Sequence, residues 1–313
     1  MSNLNRSILI CALIPLTVLF FLGGPGYYSP RSFQVAWNIG HIIYFALLAV
    51  VMVSWPQKKV RSTAVQILFI LGLTLFIGVL VELFQAGFER TPDTGDLFRN
   101  LIGALCGIAF SGRAGRTFSA RVRRGFQVVV IFLVALQIYP VAVALIDEHR
   151  ARQQFPVLSD FESSFEIQRW HGNADFAIDR TVRYTGRSSL RVALNTETYS
   201  GISLGYFPQN WHGFSQFQFH AFNPAEAPLS ITCRIHDAFH TKGVQRYSDR
   251  FNRTFTLSQG WNTITIPIED IRGAPATRKM DLGHMRAIGI FATRLPQPRL
   301  IYIDDVKLLL NRF

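Results

Sequence analysis

FIGVLVELFQAGFERTPDTGDLFRNLIGALCGIA, residues 76–109, joins two apolar runs through a short polar one. The polar groups are Glu82, Gln85, Glu89, Arg90, Asp93, Asp96, Arg99 and Asn100. The flanking runs read as membrane-embedded, where an ionisable side chain is costly and marks a functional site by default. Glu82, Gln85 and Glu89 stand at i, i+3, i+7 and so share a helix face, and Asn100, Gly103 and Gly107 repeat that spacing on the next segment. Apolar length around clustered polarity sets the fold class of the first half, an α-helical transmembrane bundle.

Outward from this stretch, spans are expected at about 7–23, 36–55, 64–85, 97–111 and 126–146. Several have about the 20 residues that a bilayer requires, while 97–111 is short and polar at its start. The first segment follows Arg6 and precedes Gly-Gly-Pro-Gly, which suits either a cleaved signal peptide or an uncleaved span, and no A-x-A site favours cleavage. Basic residues concentrate in loop 55–63 (Lys58, Lys59, Arg61) and loop 112–125 (Arg113, Arg116, Arg121, Arg123, Arg124). By the positive-inside rule these loops are cytoplasmic, as is the N-terminus, and the C-terminal domain is extracytoplasmic.

His41 then lies roughly 9 Å along the second span, at about 1.5 Å per residue. Glu82 and Gln85 fall in the last turn of the third span and Asn100 in the first turn of the fourth. His41, Glu82, Gln85, Arg90, Asp96 and Asn100 are therefore the candidates for one site near the outer leaflet. Each also has a packing role open to it. His41 could donate a hydrogen bond between helices, Glu82 and Gln85 could pair with Arg90 or Arg99, and Asn100 could bridge helices. Asp96 suits a helix N-cap, and Gly103-x-x-x-Gly107 allows close helix contact.

The order Gly40-His41, Tyr44, Glu82-x-x-Gln85, Arg90, Asp93, Asp96, Asn100, Gly103, Gly107 resembles the VanZ-like family of small multi-span membrane proteins, over about residues 35–112. The founding member of that family is associated with resistance to the glycopeptide antibiotic teicoplanin. The resemblance implies a bacterial inner-membrane protein with membrane lipid as a partner, linked to glycopeptide resistance or envelope glycan handling.

Beyond a charged connector at 147–154 the pattern changes. Short alternating runs rich in β-branched and aromatic residues occupy 176–178, 189–194, 201–206, 216–222, 230–236, 253–257, 262–267, 287–292 and 300–309. Turn signals separate them, among them Asn223-Pro224 and Gln259-Gly260, and the spacing predicts an all-β jelly-roll sandwich. Two domains follow, 1–150 and 155–313. Phe217 and Phe219 alternate with Gln216, Gln218 and His220 and are expected inside, and Trp261 is expected in the core. Asp160-Phe161-Glu162, Gly186-x-Ser-Ser-Leu190, Gly260-Trp261-Asn262 and Ile303-Asp304-Asp305-Val306 resemble the galactose-binding-like jelly rolls of carbohydrate-binding modules. That likeness implies adjacent first and last strands, with Glu162 and Asp305 as ligands of a structural calcium. Sugar recognition needs an aromatic platform and forked polar groups. Trp170, Trp211, Phe239 and Tyr247 could supply the first, and His236, Asp237, Arg246, Asp249, Arg250 and Asn252 the second. Of these, Trp211, His236, Asp237, Tyr247, Asp249, Arg250 and Asn252 are taken as the ligand-binding set, for a glycan or lipid-linked glycan.

The chain of 313 residues carries 32 Lys+Arg against 20 Asp+Glu, a formal +12, but the excess is not in one patch, and the two basic loops sit between apolar segments and read as membrane anchors, not as a nucleic-acid surface. Cys11, Cys106 and Cys233 are scattered and give neither a metal spacing nor a disulfide framework. No G-x-S-x-G, P-loop or H-E-x-x-H motif is present. The reading leans towards a non-catalytic envelope protein without a cofactor other than that calcium. The alternative is a membrane enzyme acting on lipid-linked or phospholipid head groups through Glu82, Arg90, Asp96 and His41.

Overall fold

The computed structural model describes residues 3–21, 24–26, 29–54, 63–86, 93–111 and 119–310, with side chains left out at 3–6, 63 and 85–86. The chain divides into two compact units, Met1–Ala144 and Leu145–Phe313. The first is helical: α1 (Asn3–Phe21), α2 (Arg31–Trp37), α3 (Ile39–Ser54), α4 (Thr63–Ala86), α5 (Thr94–Phe110) and α6 (Ala120–Gln154). Most of loops 55–63 and 112–125, on which the charge-based orientation rests, lies outside the described residues, as does Arg90.

Among the described residues three helical stretches, Arg31–Ser54, Ala64–Phe84 and Ala120–Gln154, are long and apolar enough to cross a membrane. Ser7–Phe21 is apolar but shorter. The expected fourth span is the 17-residue α5, whose first half carries Asp96, Arg99 and Asn100. The expected second span is two helices meeting at Asn38. The fifth runs on to Gln154, so the connector at 147–154 is helical.

Packing in the helical unit is closest between α3 and α5. A Cβ on Gly103 would stand 2.5 Å from the Ile42 carbonyl oxygen, and one on Gly107 would stand 2.5 Å from that of Ala46. Glycine at these two positions lets the backbones touch, which is the role expected of the G-x-x-x-G spacing. A small apolar core of Ala49, Val53, Ile70, Ala104 and Ile108 fills in below.

The second unit is a sandwich of two antiparallel sheets. One runs β3 (Asp175–Asp179), β4 (Ser189–Leu194), β11 (Arg299–Leu309), β6 (Gln216–Asn223), β9 (Gly260–Pro267), with β1 (Val157–Ser159) also on β11. The other runs β2 (Trp170–Gly172), β5 (Tyr199–Leu204), β10 (Met285–Thr293), β7 (Leu229–Asp237), β8 (Phe251–Leu257). Two short helices, α7 (Ala238–Lys242) and α8 (Ile268–Arg272), follow β7 and β9. First and last strands lie side by side, Val157 opposite Lys307. Alternation does the sorting: Leu190, Val192, Phe217, Phe219, Ile288, Ile290, Ile301 and Ile303 point inward and are buried.

Three aromatic residues depart from expectation, the first being Trp170, a proposed platform that is buried in the core with its indole N–H donating to Ser159 Oγ at 3.2 Å. Trp211 is fully buried and stacks on Phe217 with ring centroids 5.6 Å apart, so it is core and not a platform for ligand. Trp261, expected inside, is only half-buried and packs beside Phe222 and Tyr184. Its register partner on β6 is Phe222, two residues from the buried His220 and on the opposite face from Phe217 and Phe219. The last turns of α6 belong to this unit. Arg169, 1% exposed, donates to both carboxylate oxygens of Asp147 at 2.8–3.1 Å and to the Leu158 carbonyl at 3.0 Å. Such a buried pair is satisfied only because every donor finds an acceptor.

Candidate functional site

In the helical unit, the candidates converge where α3, α4 and α5 meet. His41 is buried, with Nδ1 2.9 Å from Asn100 Oδ1 and Nε2 3.4 Å from Asp96 Oδ2. Both ring nitrogens thus face side-chain oxygens. Arg99 donates to Asp96 and, at 3.1 Å, to Asp93. Glu82, near the end of α4, accepts the Asp93 backbone N–H at 3.0 Å. Its other oxygen and the Asn100 amide nitrogen are buried with no hydrogen-bond partner among the described residues.

His41, Glu82, Asp96 and Asn100 therefore come together, and Arg99 supplies a cation. Arg90 and the Gln85 side chain lie outside the described residues. The N-cap of α5 is Asp93, which accepts the Gly95 N–H at 2.8 Å, so Asp96 sits inside the first turn and is not the cap. Asp93 bridges Arg99 while its backbone binds Glu82, a linking role that its Thr-Pro-Asp-Thr-Gly context could have signalled.

In the β unit, the outward face of the β2-β5-β10-β7-β8 sheet carries a cleft of about 400 Å³. It is lined by Gly172, Asn173, Tyr199, Gly201, Ile202, Ser203, Arg234, Arg250 and Phe291. Strand register explains the shape. Ser203, Gly289, Arg234 and Asn252 form one row across β5, β10, β7 and β8, and Gly201, Phe291, Thr232 and Thr254 form the next. Small residues make the floor and tall ones the walls. Arg234 lies across Gly289, its Nε 3.1 Å from where a Cβ would stand, and its guanidinium donates to Ser203 Oγ at 3.3 Å. Tyr199, 63% exposed, packs edge-on against Phe291.

The sequence-derived ligand set divides on this geometry. Arg250 lines the cleft, its guanidinium 5.5 Å from the ring centroid of the exposed Tyr247. Asn252 shares the row of Arg234, and its amide donates to the Tyr247 and Arg250 carbonyls at 3.3 and 3.4 Å. His236 follows Arg234 on the same face. Arg250 Nε, Asn252 Oδ1 and His236 Nδ1 are all buried without a hydrogen-bond partner among the described residues. Burial, with Arg234 and Arg250 close by, pushes the His236 imidazole down to about 3, so the ring is neutral.

Asp237 and Asp249 are spent elsewhere. Arg278 donates to Asp237 at 2.5 and 2.8 Å and to Asp249 at 2.7 and 3.1 Å. That guanidinium holds the Asp249 carboxyl below the usual carboxylate range. Asp237 also caps α7 through the His240 N–H. These two carboxylates brace the loop, and of the sequence-derived set Arg250 alone is in the lining of the cleft. Trp211 belongs to the core, as described. Tyr199, Gly201, Ser203, Arg234 and Phe291 were missed by the sequence reading. Their signal was the outward register of Tyr199-x-Gly201-x-Ser203 and Gly289-x-Phe291, which gains meaning only once β5, β10 and β7 are known to be neighbours.

The calcium candidates each have protein partners. Glu162 accepts the Arg187 and Ser188 backbone N–H groups at 2.6 and 3.1 Å, while Asp305 binds Lys307 at 2.5 Å and faces His220 at 3.4 Å. Among the described residues no three His, Cys, Asp or Glu side chains gather as a metal cluster.

Comparison with known proteins finds a family-model match over the β half. Residues 158–309 match the family model described as carbohydrate binding domain 30, which supports a carbohydrate-binding domain in the β half and spans just under half of the chain. Similar solved structures include a family 11 carbohydrate-binding module from Clostridium thermocellum in complex with a β-1,3-1,4-mixed-linked tetrasaccharide. It is 16% identical, covers 49% of this chain and 94% of the module, and has a TM-score of 0.39. Another is the xylan-binding CBM22-2 domain from Paenibacillus barcinonensis, at 17% identity, 50% and 99% coverage and a TM-score of 0.35. An exo-β-agarase is similar at 15% identity and a TM-score of 0.41, over 50% of this chain and 25% of its own. No curated protein matches the chain.

Proposed function

We propose that this is an integral membrane protein of the bacterial cell envelope that holds a glycan in the cleft on the outward face of the β2-β5-β10-β7-β8 sheet. The observation that carries the reading is the cleft itself. An exposed tyrosine walls it, and Asn173, Ser203, Arg234 and Arg250 line it with polar groups suited to sugar hydroxyls. The family match over residues 158–309 supports the same ligand class. Membrane integration draws support from the three long apolar helical stretches and the basic loops between apolar segments. The β domain then lies outside the cytoplasmic membrane with the N-terminus inside. Binding of full-length protein in neutral detergent to a glycan array is the test, and silence across plant, bacterial and host glycans would sink the glycan reading. Alkaline phosphatase fused after residue 310 should be active, and an inactive fusion would reverse the orientation.

A more specific reading places the helical half with the VanZ-like proteins, in glycopeptide resistance or envelope glycan handling. The meeting of His41, Glu82, Asp96 and Asn100 supports it. The unpartnered Glu82 oxygen and Asn100 amide nitrogen beside His41 also favour a second reading, a membrane enzyme acting on lipid-linked or phospholipid head groups. In that case Glu82 is the base and the His41–Asp96 pair shuttles the proton. Expression of wild type and Glu82→Gln in a susceptible strain separates the two. Unchanged glycopeptide resistance and unchanged turnover of lipid-linked glycans in the variant would exclude the enzyme.

A further inference from the structure

The cleft has a charge composition that an uncharged sugar does not call for. Two guanidiniums, those of Arg234 and Arg250, belong to its lining, and no Asp or Glu does. The carboxylates closest to Arg250 along the chain and across the strands are committed to another cation. Asp249, its immediate neighbour, and Asp237 both bind Arg278. Glu197 is bonded to the Asn173 side-chain amide at 2.7 Å and is not part of the lining.

Hydroxyl groups donate as well as accept, so a site for neutral sugars gains from carboxylates, which only accept. Here the donors are in excess. Arg250 lines the cleft without a carboxylate partner among the described residues, and the hydroxyls of Tyr199 and Ser203 can donate as well. Guanidinium forks match the planar oxygens of a carboxylate or the oxygens of a sulfate or phosphate, and a partly enclosed cleft of one sign concentrates the opposite charge. The neutral state of His236 fits a pocket where Arg234 and Arg250 already supply positive potential.

We propose that the cleft selects acidic glycans, sugars whose rings carry a carboxylate, sulfate or phosphate, with the anionic group received by Arg250 and Arg234. This rests on the glycan reading above and narrows its substrate class. The test uses full-length protein in neutral detergent on an array with four arms: neutral β-glucans and xylans, uronate oligosaccharides, sulfated oligosaccharides and phosphate-bearing glycans. Titration of cellotetraose against the β-1,4-linked glucuronate tetramer then compares one backbone with and without its carboxylates.

Binding in an acidic arm about tenfold or more tighter than to the uncharged counterpart supports the proposal, and the arm names the anion. Arg250→Gln should abolish that preference with an unchanged melting temperature. Should that variant fold poorly, wild-type salt dependence decides: affinity for the acidic ligand falls between about 50 and about 500 mM salt, while that for a neutral one does not. Equal or tighter binding to neutral sugars overturns the acidic selectivity and leaves the glycan reading standing. Silence in all four arms overturns both.

Discussion

Trp211 and Tyr199 divide the two tasks of an aromatic side chain in this protein. Trp211 is fully buried against Phe217, so Trp211→Ala should cost about 3–5 kcal/mol in chemical denaturation. Tyr199 stands at the cleft edge, and Tyr199→Ala should leave the melt within a degree or so while weakening glycan binding several-fold in calorimetry. His236 offers a pH signature. Burial, together with Arg234 and Arg250, lowers its pKa to about 3 in the folded protein, against about 6.5 when unfolded. The unfolded chain therefore binds the extra proton first as pH falls, and the contribution of His236, intact above pH 6.5, is lost between about 6.5 and 3. Glu166 works in the opposite sense, because burial raises its carboxyl and favours the folded state on the acid side. Comparing wild type with His236→Asn isolates the histidine. The variant should lose less stability on acidification, by on the order of a few kcal/mol, in denaturant titrations at pH 7 and pH 4.

At the scale of elements, two junctions show why spacing alone is an incomplete guide. The α3–α5 contact depends on bare backbone at Gly103 and Gly107, so Gly107→Leu should lower the melting temperature of detergent-solubilised protein by several degrees. Gly72→Leu is the control, since nothing stands within 4 Å of a Cβ there. The end of α6 enters the β unit through Asp147, and Asp147→Ala would strand the buried Arg169 guanidinium. A loss of about 3–5 kcal/mol is expected in unfolding of the β unit. The stretch around Asp147 reads as a charged connector because its side chains are polar. Only the placement of Arg169, more than twenty residues away, reveals a helix turn held from the side. The strands behave differently. Those over 189–194 and 216–222 were legible almost residue for residue, because alternating burial is written directly in alternating polarity. Strands β1 and β2, three residues each, carry too little pattern to be read and are held by β11 and β5.

For the molecule as a whole, the β unit has its own continuous core, from Leu158 to Leu308. Residues 145–313 alone should therefore unfold in one cooperative transition by calorimetry, and a broad transition without a heat peak would show that the helical half is required. The division into an apolar helical half and an alternating β half is legible in one dimension, because hydropathy and periodicity are local properties of the chain. The same pattern brought His41, Glu82, Asp96 and Asn100 under suspicion, since polar groups at helical spacing between apolar runs are conspicuous in one dimension. Folding in three dimensions sets which aromatic residues are core, which acids are already spent on Arg278, and that Tyr199, Arg234 and Phe291 share a cleft. Those residues lie on three strands far apart in the chain. Their chemistry becomes a site only when antiparallel register sets them in adjoining rows on one face.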